Sequence, residues 1–72
     1  MKVLEVGAGT GAVTQYLIEA LKPSDILHCV EINKTMVKTL KTRLEKSQAY
    51  QEKKEQIKIF TCSIQELSLI HI

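Results

Sequence analysis

The sequence contains few of the residues that usually reveal a ligand or a stabilising cross-link. It has no tryptophan, one phenylalanine and two tyrosines, so nucleobase stacking has little support. A formal net charge of +2 is too small to indicate nucleic acid as a partner. The two cysteines, Cys29 and Cys62, lack the spacing of a metal site. We therefore expect no metal, and two reduced thiols in strands.

The sequence also lacks a secretory signal and a long apolar run. This absence, together with the scarcity of cysteine, leads us to expect a cytoplasmic protein. Seventy-two residues allow one domain at most. A chain this short buries only about 60% of the surface that its unfolded form exposes, so we expect marginal stability.

All three glycines lie in one stretch, residues 3–11, around which the rest of the chain is organised. The stretch predicts a short buried strand, a loop with Gly7, Gly9 and Gly11 at alternate positions, and a helix that begins near residue 12. Glycine accepts positive φ and lets a ligand approach the backbone closely. A glycine loop at a helix N-terminus also directs unpaired N–H groups at a ligand. The stretch therefore predicts a small-molecule site at the carboxyl end of the first strand.

The remaining pattern alternates between helical and extended periods. The first helix is predicted to bury Val13, Leu17, Ala20 and Leu21. The elements predicted after the glycine loop are a helix with Lys22 in its last turn, a strand over residues 26–32, a helix capped by Asn33, a loop or fraying helix end over 46–56, a strand over 57–62 and a short turn over 64–67 capped by Ser63. His28 is expected to pack among its strand neighbours.

This order predicts an α/β fold: a Rossmann-like β-α-β-α-β half of a doubly wound parallel sheet, with three strands and two helices on one face. Both helices share a face because parallel crossovers are right-handed. The opposite, Val/Ile/Leu-rich face then has nothing in the chain to cover it. We expect residues 1–72 to form part of a larger domain, an interpretation that the apolar residues 69–72 also favour.

Glu5 separates two classes of cofactor site. The pattern Gly7-x-Gly9-x-x-Ala12 satisfies the relaxed dinucleotide fingerprint, so a NAD-type half-domain stays open. In that class a strand buried on both faces would carry an apolar residue where Glu5 stands. Residues 3–11 instead resemble the first motif of class I S-adenosylmethionine-dependent methyltransferases, acid-x-G-x-G-x-G.

The resemblance implies S-adenosylmethionine as cofactor and assigns roles to particular residues. Glu5 would fix the loop and the methionine end, Glu31 would accept hydrogen bonds from the ribose hydroxyls, and Ile32 would pack on adenine. Ser63 stands where many members carry an aspartate, which leaves adenine recognition weaker or dependent on the backbone of Ile64. The cofactor-binding residues predicted in this way are Glu5, Gly7, Ala8, Gly9, Gly11, Glu31, Ile32, Ser63 and Ile64.

Glu31 has independent support, because an acid about 20 residues after the glycine loop is the ribose ligand of nucleoside-binding doubly wound folds. The alternative is an exposed glutamate before a helix cap. Lys34, Lys38, Lys41 and Arg43 lie mostly off the apolar stripe of the second helix. They form a solvated face or a contact with phosphate or an anionic membrane surface.

The resemblance also implies methyl transfer to an amine acceptor. The motifs look most similar to bacterial phospholipid N-methyltransferases, which implies a lipid head group as acceptor and a place at the inner membrane surface. Ribosomal RNA adenine dimethyltransferases are the alternative, and a non-catalytic interaction fragment is a third hypothesis. The chain would end before the fourth strand, without catalytic residues, and would need a C-terminal half or second chain. The implied strand order is third, second, first.

Overall fold

Three parallel strands form one sheet in the computed structural model, which describes the backbone of residues 1–71 and the side chains of residues 1–67. The strands are β1 (Lys2–Val6), β2 (Ile26–Val30) and β3 (Ile57–Phe60), and β2 lies between the other two. The predicted β-α-β-α-β fold and strand order are confirmed. The second and third strands each end two residues earlier than predicted, so Cys62 lies beyond β3 and only Cys29 lies in a strand. Both cysteines are free thiols.

The register divides the strand residues between two faces of the sheet. Leu27 pairs with Val3 and Ile57, and these residues face the helices. The helices are α1 (Ala12–Ala20), α2 (Lys34–Glu45), α3 (Gln48–Lys53) and α4 (Ile64–His71). Residues of α1, α2 and α3 join one core cluster with this face. The first two helices therefore share a face, as right-handed crossovers require.

The buried side of α1 differs from the predicted stripe by one position. Thr14 and Ile18 are buried, and Leu21 is buried just beyond the helix, whereas Val13 and Ala20 are exposed. The prediction was wrong for Val13 and Ala20 because it treated threonine as a surface residue. The Thr14 side chain lies on the buried side of the helix, where its hydroxyl donates a hydrogen bond to the Glu5 carboxylate.

The carboxyl end of α1 also differs from expectation, since the helix stops at Ala20 and Lys22 lies outside it. Leu21 is extended, and the Lys22 N–H donates to the Asp25 carboxylate at 2.8 Å. The ammonium group that caps this helix comes from Lys53, whose Nζ lies 2.9–3.1 Å from three carbonyl oxygens at the end of α1. A cation suits the negative end of a helix dipole.

Residues 46–56 form structure where a loop or fraying end was predicted. Ser47 caps α3 by accepting the Tyr50 N–H at 3.2 Å, and a 3-10 turn, Lys54–Gln56, leads into β3. Tyr50 and Ala49 pack against the core. The mixed polar sequence hid this helix because only one side of it meets α1 and α2.

The helix caps agree better with the sequence. Asn33 accepts the Met36 N–H at 3.1 Å and begins α2, as predicted. Ser63 and Glu66 exchange two hydrogen bonds of 3.1 Å, a capping box that begins α4. The predicted turn is the start of a helix. The side chains of residues 69–72 lie outside the described ones.

The second face of the sheet carries exposed apolar side chains. Leu4, Val6 and Ile26 are 50%, 57% and 43% exposed. His28 is nearly buried on this face and meets the Phe60 ring edge-on, with 5.2 Å between the ring centroids, so its predicted packing role is confirmed. Within the described residues, the uncovered apolar surface therefore lies mainly on β1 and the start of β2.

Candidate functional site

The glycine loop, residues 7–11, joins β1 to α1 at the carboxyl edge of the sheet. Its three glycines have positive φ, and Gly11 is the N-cap of α1 with φ 94°. A Cβ on Gly11 would lie 2.6 Å from Cδ1 of the buried Leu40, whereas one on Gly7 would meet nothing within 4 Å. Gly11 thus serves the packing of the loop on α2, and Gly7 leaves open space on the site side.

The N–H groups of the loop are largely occupied. Gly7 and Ala8 donate to the Val30 carbonyl, Gly9 donates to Glu31, and Gly11 donates back to Ala8. The expectation that these groups point unpaired at a ligand is therefore wrong at these four positions. The loop is fixed to β2, because the N–H groups of Gly7 and Ala8 add two hydrogen bonds to the end of the ladder between β1 and β2. At these four positions the loop offers a ligand no free N–H donor, and it contributes to the site through the shape of its backbone.

Glu31 follows β2 and lies directly beside the loop. Its side chain belongs to a residue only 8% exposed, and each carboxylate oxygen accepts one backbone N–H, from Gly9 at 2.8 Å and from Asn33 at 3.0 Å. These bonds hold the pKa of Glu31 below its usual value, and the bond from Asn33 has a larger effect than the bond from Gly9. Burial opposes them, because it favours the uncharged form. Because a carboxylate oxygen can accept two hydrogen bonds, both oxygens keep capacity for further donors.

A cleft of about 230 Å³ opens at this edge of the sheet. It brings together five of the predicted residues, Gly7, Glu31, Ile32, Ser63 and Ile64. The other residues that line it are Val6, Val30 and Cys62. The cleft therefore combines one buried carboxylate with apolar walls, the composition of a site for a small organic ligand.

The other four predicted residues lie around the cleft without lining it. Ala8 is buried in the core, Gly9 contacts Glu31, and Gly11 packs over α2. Glu5 lies on the helix-facing side of the sheet, where its carboxylate accepts the Thr14 hydroxyl at 2.5 Å. The structure thus gives Glu5 a contact beneath the loop, away from the cleft.

Thr14 and Cys29 are the site-supporting residues that the sequence reasoning missed. Thr14 is fully buried, and Cys29 is fully buried in β2 as the register neighbour of Glu5. Burial, and then the neighbouring Glu5 carboxylate, raises the pKa of Cys29 to about 12. A signal for Thr14 did exist, because Thr14, Ile18 and Leu21 are spaced as one helix face.

Ser63 has a structural contact as well as its place in the cleft. Its hydroxyl oxygen accepts the Glu66 N–H, which leaves the hydroxyl proton free to be donated elsewhere. Ile32 and Ile64, at 67% and 40% exposure, stand on the cleft as apolar side chains with little cover.

A larger cavity of about 540 Å³, the basic groove, lies on the helix side of the molecule. It is lined by Gln15, Lys38, Thr39, Thr42, Arg43, Lys46 and Ser47. None of these side chains is acidic. Among the described residues, no carboxylate lies within 4.0 Å of the cationic groups of Lys38, Arg43 or Lys46.

Two kinds of site are absent from the part of the chain that the structure describes. No three His, Cys, Asp or Glu side chains are grouped so that they could hold a metal ion. No helix in the same part combines the length and apolarity needed to cross a membrane.

A parallel sheet with helices, in β-α-β-α-β order, defines a protein of the doubly wound α/β class, whose members bind ligands at the carboxyl ends of the strands. The comparison with protein families makes this more specific. Residues 4–69, which are nearly the whole chain, match the family of methyltransferase domains. The chain belongs to this family, that of the class I S-adenosylmethionine-dependent methyltransferase domain. No curated protein matches the sequence.

Proposed function

We propose that the chain binds S-adenosylmethionine in the cleft at the carboxyl edge of the sheet. The observation that carries the proposal is the Glu31 carboxylate, which is buried at the cleft and retains hydrogen-bonding capacity. Two ribose hydroxyls fit that capacity. When bound, the cofactor supplies an activated methyl group.

Each of the other predicted site residues has a role in this proposal. Ile32 and Ile64 pack on the two sides of the adenine ring, and the Ser63 hydroxyl donates to it. The open space at Gly7 admits the ligand close to the backbone. Ala8, Gly9 and Gly11 shape the loop, and Glu5 anchors it from below.

The same geometry disfavours the NAD-type alternative. A dinucleotide needs backbone N–H groups directed at its pyrophosphate. Here the N–H groups of Gly7, Ala8, Gly9 and Gly11 are bonded within the protein, and the Glu31 carboxylate lies beside the loop. A pyrophosphate would therefore meet no free N–H donor at these four positions.

Calorimetric titration with S-adenosylhomocysteine, the demethylated product, tests the proposal. We expect the 72-residue chain to bind it and Glu31→Ala to lower the affinity at least about tenfold, because hydrogen bonds to a charged group are strong. Glu55→Ala is the matched control, since Glu55 lies in the exposed 3-10 turn at the opposite edge of the sheet. Equal affinity of wild type and Glu31→Ala, or preference for NAD, contradicts the proposal.

We propose a phosphate-bearing amine, a phospholipid head group, as the methyl acceptor. The basic groove supports an anionic partner, because its three cations have no acidic neighbour in the lining. A head group at the inner membrane surface fits a cytoplasmic protein that binds the membrane peripherally. Ribosomal RNA carries the same phosphate chemistry and is the second candidate on the same observation.

Vesicle flotation distinguishes these partners. Lys38→Gln/Arg43→Gln/Lys46→Gln should lose binding to vesicles that contain anionic phospholipid, since each basic residue near such a surface contributes about 1 kcal/mol. Lys2→Gln/Lys54→Gln/Lys58→Gln removes the same charge outside the groove and should bind nearly as wild type. Binding to RNA but not to vesicles favours ribosomal RNA as the acceptor. Binding to neither favours the third hypothesis, a non-catalytic interaction fragment.

We further propose that residues 1–72 form a partial domain that binds cofactor without turnover. The described residues supply a cofactor cleft and a basic groove for the phosphate of the acceptor, and none of them is assigned to hold the acceptor amine beside the methyl group. The missing acceptor residues would come from a C-terminal half or a second chain, added beyond β1 at the sheet edge. Methyl transfer to a lipid amine by the isolated chain would disprove this.

A further inference from the structure

Thr14 makes an unusual contact for a threonine within a helix. It lies in the first turn of α1, is fully buried, and donates to the Glu5 carboxylate at 2.5 Å. Glu5 is next to last in β1, so the bond joins the two elements on either side of the glycine loop, residues 7–11. It closes that loop from beneath.

Two of the threonines in α2 show the local hydrogen bond that a helical threonine can make instead. In α2, Thr39 and Thr42 each donate to the carbonyl oxygen four residues earlier. That local bond is the usual choice of a threonine inside a helix. Thr14 instead donates to a residue nine positions earlier in another element. Its hydroxyl is therefore committed to the junction between strand and helix.

Cys29 lies beside the same residue in the sheet. It is Glu5's neighbour in the register of β1 and β2 and is fully buried. Burial, and then the Glu5 carboxylate, raises the pKa of its thiol. Glu5 thus bonds to α1 and pairs with β2, which are also the elements that hold the loop.

We propose that Thr14 is a positioning residue, which sets the glycine loop through its hydrogen bond to Glu5 and never touches the ligand. The inference rests on the proposed function, because the loop matters as the wall of the cofactor cleft. Loss of the Thr14 hydroxyl frees the entry of α1 to shift relative to β1. The Gly9 contact with Glu31, at the upper side of the loop, then weakens as well.

Two pairs of variants that differ in one hydroxyl test the proposal. Thr14→Val keeps the shape of threonine and removes the hydroxyl, so we expect it to weaken S-adenosylhomocysteine binding about tenfold. Thr14→Ser keeps the hydroxyl and should bind within about threefold of wild type. Thr14→Ala differs from Thr14→Ser only in that hydroxyl, and this pair decides the matter if Thr14→Val does not fold.

A merely structural role would make affinity follow stability. Thr14→Ser loses a buried methyl group, so urea unfolding should show it less stable than wild type while its affinity is retained. In the double variant Glu5→Ala/Thr14→Val, affinity should be no lower than in Glu5→Ala alone, because both changes remove one contact. Additive losses, or a Thr14→Ser variant as weak as its Val or Ala counterpart, overturn the proposal.

Amide hydrogen exchange separates this inference from the cofactor assignment. Without ligand, the Gly9 and Gly11 amides should exchange about tenfold faster in Thr14→Val than in wild type, and at nearly the wild-type rate in Thr14→Ser. If wild type binds no cofactor while exchange changes in this way, the cofactor assignment fails and the role of Thr14 in the loop stands. Unchanged exchange at both amides disproves that role.

Discussion

Glu31 combines two tasks at one carboxylate, and the geometry explains how it can. Its two oxygens each accept a backbone N–H, from Gly9 and from Asn33. One bond fixes the glycine loop and the other fixes the entry to α2. Glu31 also lines the cleft, so the group that would hold a ribose is itself held in place before the ligand arrives. Such preorganisation lowers the entropy cost of binding.

The lowered pKa of Glu31 predicts a specific dependence of stability on pH. A carboxylate whose pKa is lower in the folded than in the unfolded chain stabilises the fold fully above its unfolded pKa, about 4.3 for glutamate. That contribution is lost as the pH falls through the lower, folded pKa. We expect the free energy of unfolding, measured with urea from pH 7 to 3, to decline below about pH 4. Glu31→Gln should show a shallower decline, and an identical slope would contradict the prediction.

The two cysteines provide a chemical test of where the ligand lies. The Cys29 thiol is fully buried with a pKa raised to about 12, whereas Cys62 is partly exposed and lines the cleft. Since the thiolate is the reactive form, iodoacetamide should alkylate the native chain once, at Cys62. S-adenosylhomocysteine at ten times its Kd should slow that reaction about tenfold by occupancy.

Cys29→Ala is the control for this labelling and should leave the native rate of alkylation unchanged. Cys29 should react only after denaturation. Bound S-adenosylhomocysteine that leaves the rate at Cys62 unaltered would place the ligand outside the cleft.

At the scale of elements, the sequence predicted what is encoded locally. The positions of the strands, the glycine loop and the caps at Asn33 and Ser63 depend on neighbouring residues, and all are confirmed within two residues. The prediction that the first strand is buried was wrong, because β1 lies at an edge of the sheet and none of its residues is buried. The helix α3 was missed because its stability comes from packing on α1 and α2, which no local pattern shows. The same holds for contacts that span the chain, such as Lys53 with the end of α1, 32 to 35 residues away.

The candidate site was predictable to a similar degree. Glu31, Ile32, Ser63 and Ile64 were identified from motif positions and do meet at one cleft. Motif spacing could not show that Glu5 faces the helices, because the face on which a strand residue lies depends on the register of the whole sheet. For the same reason the partnership of Glu5 with Thr14 became visible only in three dimensions.

Lys53 is predicted to stabilise the junction of α1 and α3. Its ammonium group contacts the carbonyl oxygens of Ile18, Glu19 and Leu21. Lys53→Met keeps the length of the side chain and leaves those oxygens without this donor. We expect it to lower the free energy of unfolding, measured with urea, by about 1–2 kcal/mol.

Lys54→Met is the matched control for Lys53. Lys54 pairs with Glu45 at 3.7 Å, and both side chains are more than half exposed. An exposed pair of this kind contributes little, so the loss should be at most about 0.5 kcal/mol. Equal losses for the two variants would show that the contacts of Lys53 with α1 carry no special weight.

At the scale of the whole molecule, α1, α2 and α3 cover one side of the sheet, and β1 is exposed in two ways. β1 pairs only with β2 among the described residues, so its other edge presents unpaired backbone groups. Its outer face carries Leu4 and Val6, with Ile26 beside them on β2. An apolar strand at an open edge favours pairing with another chain. A second copy of this chain brings the same surface and can meet it antiparallel.

We therefore predict that the isolated chain self-associates through β1, with an equilibrium that sedimentation velocity can follow across a concentration series. Leu4→Gln/Ile26→Gln should raise the dissociation constant at least about tenfold, because burying a leucine or isoleucine side chain contributes about 1.5–3 kcal/mol. Val13→Gln/Tyr16→Gln removes two exposed apolar side chains from α1 instead and should leave association unchanged. If both double variants weaken association equally, the contact is a general apolar one and β1 is not its site. A wild-type chain that stays monomeric throughout the series would show that the open edge is too short to pair.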